Sequence, residues 1–260
     1  MEPVLKERNG PVLRLTLNRP DKLNSFNEAM HGALIEGLEE AAGDKSVRAV
    51  ILTGAGRGFS AGQDLGDRAG DSGPPDLGDT LERLYNPLAR RIRTLPVPVV
   101  AAINGVAAGA GLNVAIACDI IIAARSAVFL EPFANLGLVP DAGGTFTLPR
   151  LVGSARARAM AMLAEKIDAE TAERWGLVWR VVDDGALGEE ADKIAARLAR
   201  LPTDGLAAMK QAFDAAETNS FSEQLDLERD LQQAQGRHPD YSEGVAAFLA
   251  KRAPNFRGRL

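Results

Sequence analysis

The chain is poor in the residues that most often advertise a function. Its one cysteine, Cys118, excludes an internal disulfide and is expected to be a small buried hydrophobe in a reducing compartment. The two histidines fall far apart, His31 on an early amphipathic helix and His238 in a late polar connection. Both read as structural or solvated, and no metal site is expected. Positive charge is not in excess: 30 Lys and Arg against 35 Asp and Glu give a net charge of -5, so there is no basic field to hold phosphate backbones and nucleic acid is not an expected partner. A clean membrane span is missing as well. The longest apolar stretch, Val97 to Ala124, is interrupted by Asn104, Asn113, Asp119 and several glycines. Met1 to Gly10 carries Glu2, Lys6, Glu7 and Arg8 in place of an apolar run, which gives the expectation of no secretory leader and a cytoplasmic protein. No internal repeat is found.

What the chain does have is enough apolar residue, 46% of 260, to bury one substantial core. Val12 to Leu17 and Val47 to Thr53 are strand-like, and a helix of about four turns lies between them. Ser25 and Glu28 fit a capping box at its start, Met30, Leu34 and Leu38 repeat on one face, and Gly43 is a stop signal. A Gly-, Asp- and Pro-rich loop from Ala61 to Pro75 is expected to be mobile and to act as a lid. Leu77, Leu81, Leu84 and Leu88 mark a second helix, ended by Pro96 and Pro98 before a strand at Val99 to Ile103. Beyond Ser154 the periodicity is mostly helical: Ala155 to Ala164, Ala169 to Trp175, Leu187 to Leu201, Leu206 to Ala216 and Phe221 to Gln235. The expectation is an α/β core over residues 1–200 and a helical region over 201–260 that packs on itself or on another subunit.

Three glycine-rich segments carry chemistry. Gly54 to Leu65 leaves a strand but runs into a polar loop instead of an amphipathic helix, which argues against a dinucleotide-binding turn and for backbone N–H groups brought close to a ligand. Asn104 to Asn113 follows the strand Val99 to Ile103 and opens an apolar helix, whose unpaired N–H groups and positive dipole end suit an oxyanion; close helix packing is the alternative reading of its glycines. Gly137 to Thr145 sets Asp141 between Pro140 and two glycines. Taken alone, that aspartate reads more readily as a turn or capping residue than as a catalyst.

In this order the segments resemble the crotonase superfamily of enoyl-CoA hydratases and isomerases over nearly the entire chain. Asn18 to Asn24, Phe59 to Leu65 and Asn104 to Asp119 are similar to its first three signatures, and Ala247 to Arg252 to its C-terminal one. The resemblance implies a spiral of ββα units with C-terminal helices that build trimers or dimers of trimers. It implies an acyl-CoA thioester as substrate, with no cofactor beyond the coenzyme A that the substrate carries. The N–H groups of Gln63 and Ala110 would form the oxyanion hole for the thioester carbonyl. Lys22, Leu23, Ala61, Asp64 and Leu65 would follow the adenosine and pantetheine path, with Phe248 and Lys251 at the nucleotide end from a neighbouring subunit. Lys22 and Lys251 also read as ordinary surface lysines.

Departures from the hydratase pattern bear on the reaction. The two glutamates that hold water in the hydratases are replaced here by Asn113 and Phe133, neither of which can accept and return a proton. Asp141 falls where several isomerases of the superfamily carry a working carboxylate, and Phe133 and Leu138 are expected to exclude water around it. The reaction so implied is an isomerisation, shifting a double bond or rearranging a ring epoxide through an enolate. Hydration, and a non-catalytic CoA-binding oligomer, are the alternatives. Glu131 is the alternative carboxylate, to supply or assist the base, and with Asp141 the group that hydration would use; its place beside Pro132 gives no independent support.

Overall fold

A computed structural model describes residues 2–66 and 76–260. The expected mobile lid over 61–75 therefore lies largely outside the described residues. The chain begins with a hairpin, β1 (Val4–Asn9) and β2 (Val12–Leu17), followed by helix α1 (Glu28–Gly43). Three strand pairs then repeat one plan. β3 (Ala49–Gly54), β5 (Val99–Ile103) and β7 (Ile120–Ala124) lie parallel in a six-stranded sheet of order β1-β2-β3-β5-β7-β10, closed by β10 (Arg180–Val182). Their followers β4 (Gly58–Ser60), β6 (Val106–Ala108) and β8 (Val128–Leu130) lie side by side in a second sheet, which ends in the two-residue β9 (Ile167–Asp168). Each ββ pair thus steps one strand along both sheets before a helix returns the chain, which is the expected ββα spiral.

The helices after the second and third pairs are α4 (Ala110–Ile116), α5 (Gly144–Val152) and α6 (Ser154–Leu163), with α7 (Ala169–Trp175) and α8 (Leu187–Ala199) next. After the first pair come α2 (Leu77–Thr80), a π-helical turn Leu81–Tyr85 and α3 (Asn86–Thr94). The chain ends with α9 (Thr203–Ala216), α10 (Phe221–Gly236) and α11 (Pro239–Leu249).

The large sheet is apolar on both faces, as a parallel sheet covered on both sides must be. Val50, Leu52, Val99, Ala101 and Ile103 join the main core with α1 and α3. The alternate residues Ala49, Ile51, Val100, Ala102 and Ile122 face α8, where Leu187, Ala191, Ala195 and Ala199 recur at every fourth residue and let the helix approach the strands closely.

Two local expectations are corrected. Ser25 and Glu28 do not cap α1: Asn27 is its N-cap, its side chain accepting from Met30 N at 3.0 Å. Leu23 and Asn24 adopt left-handed φ of 49° and 55°, and Phe26 N donates to Gly62 O at 2.7 Å, so Ser25 and Phe26 are held extended against the second glycine segment and the helix starts late. The π turn likewise rotates the predicted leucine stripe: Tyr85, Leu88 and Ile92 are fully buried while Leu81 and Leu84 are only partly so.

Candidate active site

Two glycine turns from different ββα units meet at one point. Gly62 has φ +87°, and a β-carbon on it would stand 2.8 Å from Ala108 O and 3.4 Å from Ala110 N, so only glycine lets the second segment lie this close to the third. Phe26 pairs with this turn, taking Gly62 O as acceptor and receiving Asp64 N at 2.9 Å. That pattern skips the intervening Gln63 N–H. Ala110 is the first residue of α4, so its N–H has no carbonyl one turn back. Among the described residues neither amide has a backbone acceptor outside regular structure. Two free N–H groups, one at a helix N-terminus, are what an oxyanion requires.

The carboxyl side of the site is built from α4, the turn after β8 and the start of α5. Asn113 lies three residues beyond Ala110, buried, and its amide packs against Gly144. Gly144 N donates to Asp141 O at 2.7 Å, which ties Asp141 to the start of α5. Burial pushes Asp141 up to about 6, opposed by the Asn113 amide, which favours the charged carboxylate. Asp141 is half-buried, and one of its oxygens is shielded with no hydrogen bond. It does not cap a helix through its side chain: the N-cap of α5 is Gly143.

Glu131, which the sequence offered only as an alternative or assisting base, is the main addition to the site residues. It follows β8, is fully buried, and neither of its oxygens finds a partner. Burial, reinforced by the charge of Asp141, pushes it up to about 8, with Asn113 again opposing the shift. Asn113 and Phe133 are neutral as expected, but a carboxyl pair exists nonetheless, assembled from Glu131 and Asp141. The signal available in the sequence was a charged residue directly after the buried strand Val128–Leu130.

A second addition is Tyr85, whose hydroxyl donates to Gln63 Oε1 at 2.6 Å. His31 packs edge-on to Tyr85 at 4.4 Å and against Phe26 at 5.0 Å. Both its nitrogens are buried without partners and burial lowers its pKa to about 4, so it is a neutral packing group. His238 caps α11, accepting from Asp240 N at 3.1 Å. Neither histidine serves this site, in line with their structural reading.

The remaining predicted residues divide. Ala61 N donates to Leu23 O at 2.9 Å, which joins these two, and Lys22 and Leu65 are exposed on the same glycine-rich edge. Asp64 is already committed: Arg19 Nη2 donates to it at 2.8 Å and Gly66 N at 3.0 Å. Burial opposes its charge, but these donors hold its carboxyl below the usual range. It clamps the first signature to the second. The Phe133 ring lies 3.6 Å from where a Gly109 β-carbon would be, against the turn that precedes Ala110, and Leu138 N donates to Phe133 O at 3.0 Å. Leu138 is 41% exposed. Phe248, 83% exposed, lines a different groove with Met209, Tyr241 and Val245, and Lys251 follows it on the surface. Within one chain neither reaches the site. No group of three or more metal-binding side chains occurs among the described residues, and no helix among them is long and apolar enough to cross a membrane.

Comparison with known proteins bears on this geometry. Residues 7–259 match the enoyl-CoA hydratase/isomerase family. The 1,2-epoxyphenylacetyl-CoA isomerase of Escherichia coli K12 is 55% identical over 261 residues, with all of both chains covered. The 2,3-dehydroadipyl-CoA hydratase of the same organism is 38% identical, again over the full length of both. The crystal structure of an enoyl-CoA hydratase from Bacillus anthracis superposes with a TM-score of 0.94 at 33% identity, covering 99% of this chain and 100% of that one.

Proposed function

The chain belongs to the enoyl-CoA hydratase/isomerase family and is a crotonase-type isomerase or hydratase, and within that class we propose that it is an isomerase that uses Asp141 as its base on an aryl- or enoyl-CoA thioester. The observation that carries this reading is the approach of the half-buried Asp141 carboxyl group to the Gly62–Ala110 turn pair by way of Asn113, with no histidine beside it. Asp141 takes a proton from the carbon next to the thioester carbonyl. The electron pair moves onto the carbonyl oxygen, where the N–H groups of Gln63 and Ala110 stabilise it. Return of the proton at another carbon completes the isomerisation. One oxyanion donor is worth about 10² to 10³ in rate and a placed base about 10² to 10⁴.

The 55% identity to 1,2-epoxyphenylacetyl-CoA isomerase favours a ring epoxide of an aryl-CoA as the natural substrate. Coenzyme A arrives as part of the substrate, along the Leu23, Ala61 and Leu65 edge beside Lys22, and no other cofactor is proposed. The C-terminal helices expose Phe213 and Phe248 to 76% and 83%, which supports association with further copies of the chain; the homotrimer or dimer of trimers, and the cytoplasm as its place, are proposed from the family resemblance. Such an assembly would also let Phe248 and Lys251 serve a neighbour's nucleotide site.

The test is a mass-spectrometric assay against aryl epoxide, 3-enoyl and 2-enoyl CoA thioesters. Isomerised product is expected, abolished by Asp141→Asn with thioester affinity kept. Hydration is the second reading, and the Glu131–Asp141 pair is the specific observation in its favour. Hydration of crotonyl-CoA at a rate equal to isomerisation would reverse the order.

A further inference from the structure

The one-base scheme gives the side chain of Asn113 no part in recognising the acyl group, yet its amide is buried at a cost. Only 1% of the residue is exposed, and both Oδ1 and Nδ2 are shielded without a hydrogen-bond partner. A leucine of similar size would fill the space without taking a donor and an acceptor out of water. The surrounding backbone nonetheless makes room for this side chain. A β-carbon on Gly144 would stand 2.3 Å from Asn113 Oδ1 and 2.5 Å from Nδ2, so α5 has to start on a glycine for the amide to fit. Asn113 itself is fixed within α4, its N–H donating to Gly109 O at 3.0 Å and its carbonyl accepting from Ala117 N at 3.2 Å.

Its place is as specific as its burial. Helical residues three apart share a face and their side chains lean toward the N-terminus, which sets the Asn113 amide below the end of α4 where Ala110 N–H emerges. On its other side, Gly144 N donates to Asp141 O at 2.7 Å, so the glycine that the amide touches is the one that fixes the Asp141 turn. A thioester with its carbonyl oxygen at Ala110 N–H and its neighbouring carbon at Asp141 therefore lays the start of its acyl group against this amide. The Phe133 ring, packed on the Gly109 turn, offers only carbon there.

We propose that Asn113 is a specificity-determining residue whose Nδ2 donates to an oxygen carried by the acyl group beside the reacting carbon, the ring-epoxide oxygen in the substrate class favoured above. The inference rests on the isomerase reading of the site and narrows it from acyl thioesters in general to oxygen-bearing ones. An epoxide oxygen only accepts, which a carboxylate cannot satisfy and an amide can. The amide also takes no proton from the substrate, so it holds the oxygen without competing with Asp141. A purely hydrocarbon acyl group leaves the amide buried and unpaired in the complex, and an unpaired buried polar group is the means by which such a site turns an analogue away.

The experiment is isothermal titration calorimetry with two thioesters that have no double bond to move, tetrahydropyran-2-ylacetyl-CoA and cyclohexylacetyl-CoA, which differ by one ring oxygen in place of a methylene group. The wild-type protein is expected to bind the oxygen-bearing ester about three- to ten-fold more tightly, the worth of one neutral hydrogen bond. Asn113→Leu should abolish or invert that preference, and should melt no lower than the wild type because it removes two unpaired polar atoms from the interior. A residue with a purely structural role would change both affinities together and leave their ratio alone. Equal affinity of the wild type for the two esters, a preference for the carbocycle, or an unchanged ratio in the folded variant would overturn the proposal. Should Asn113→Leu not fold, the wild-type pair of affinities decides by itself. A wild type that isomerises a 3-enoyl-CoA yet binds the two esters alike sinks this inference alone, whereas one that binds neither sinks the thioester reading of the site and this inference with it.

Discussion

The Tyr85 hydroxyl, carried into the core by a single π-helical turn, donates to Gln63 Oε1 at 2.6 Å and so holds the residue whose own N–H is proposed to stabilise the oxyanion. On the proposed mechanism the side chain of Gln63 serves as a tether while its backbone N–H binds the oxyanion. A hydrogen bond of this kind contributes about 0.5–1.5 kcal/mol, and a donor that drifts loses much of its effect on a developing charge. Tyr85→Phe is expected to lower kcat roughly three- to ten-fold with a smaller change in KM, measured on whichever thioester the wild-type protein isomerises.

Asp141→Asn separates function from stability. A carboxyl group whose folded-state pKa stands above its ordinary 3.8 binds its proton more tightly in the folded chain. Its contribution is therefore fully present below about pH 4 and is lost as pH rises through 6, by roughly 3 kcal/mol at the pKa spacing involved. The neutral amide avoids that loss. At pH 7 the variant should be inactive by at least about 10²-fold yet melt at a higher temperature than the wild type, the gap closing toward pH 4. Calorimetry at the two pH values checks this.

The same ionisation sets the rate profile. Asp141 must be charged to accept a proton, so kcat/KM is expected to fall below about pH 6, far from the range of an exposed aspartate. A profile flat down to pH 4.5 would point to a different base.

Gly62→Ala tests the meeting of the two turns. The added methyl would stand 2.8 Å from Ala108 O at a φ that L-residues avoid, so both strain and displacement of Gln63 N–H follow. Expected are a loss of about 1–3 kcal/mol in stability by denaturant melting and a fall in kcat larger than that of Tyr85→Phe.

Arg19→Met leaves Asp64 buried without its guanidinium partner. The first and second signatures are joined there, Arg19 Nη1 also donating to Ser25 O at 2.7 Å. The variant should lose several kcal/mol of stability and weaken thioester binding, while Arg19→Met combined with Asp64→Leu recovers part of the stability. A double-mutant cycle by chemical denaturation measures the coupling.

The sequence alone carried the strands Val12 to Leu17 and Val99 to Ile103, the helix Ala169 to Trp175 and the three glycine segments, because periodicity, β-branched runs and glycine spacing are properties of neighbours along the chain. It also carried the candidacy of Gln63, Ala110 and Asp141, since those positions sit inside contiguous motifs. Asn27 as the true cap of α1, Tyr85 turned inward by a π turn, and Asp64 spent on Arg19 depended on partners distant in sequence. Glu131 is the clearest case. In the sequence it is one carboxylate beside a proline, and only the pairing of Leu130 with Ala108 and the return of the chain through Gly144 bring it to Asn113 and Asp141. Desolvation and the charge of a neighbour, which decide whether a carboxyl group carries its proton, are set by how the chain closes on itself, and no local spacing of residues encodes them.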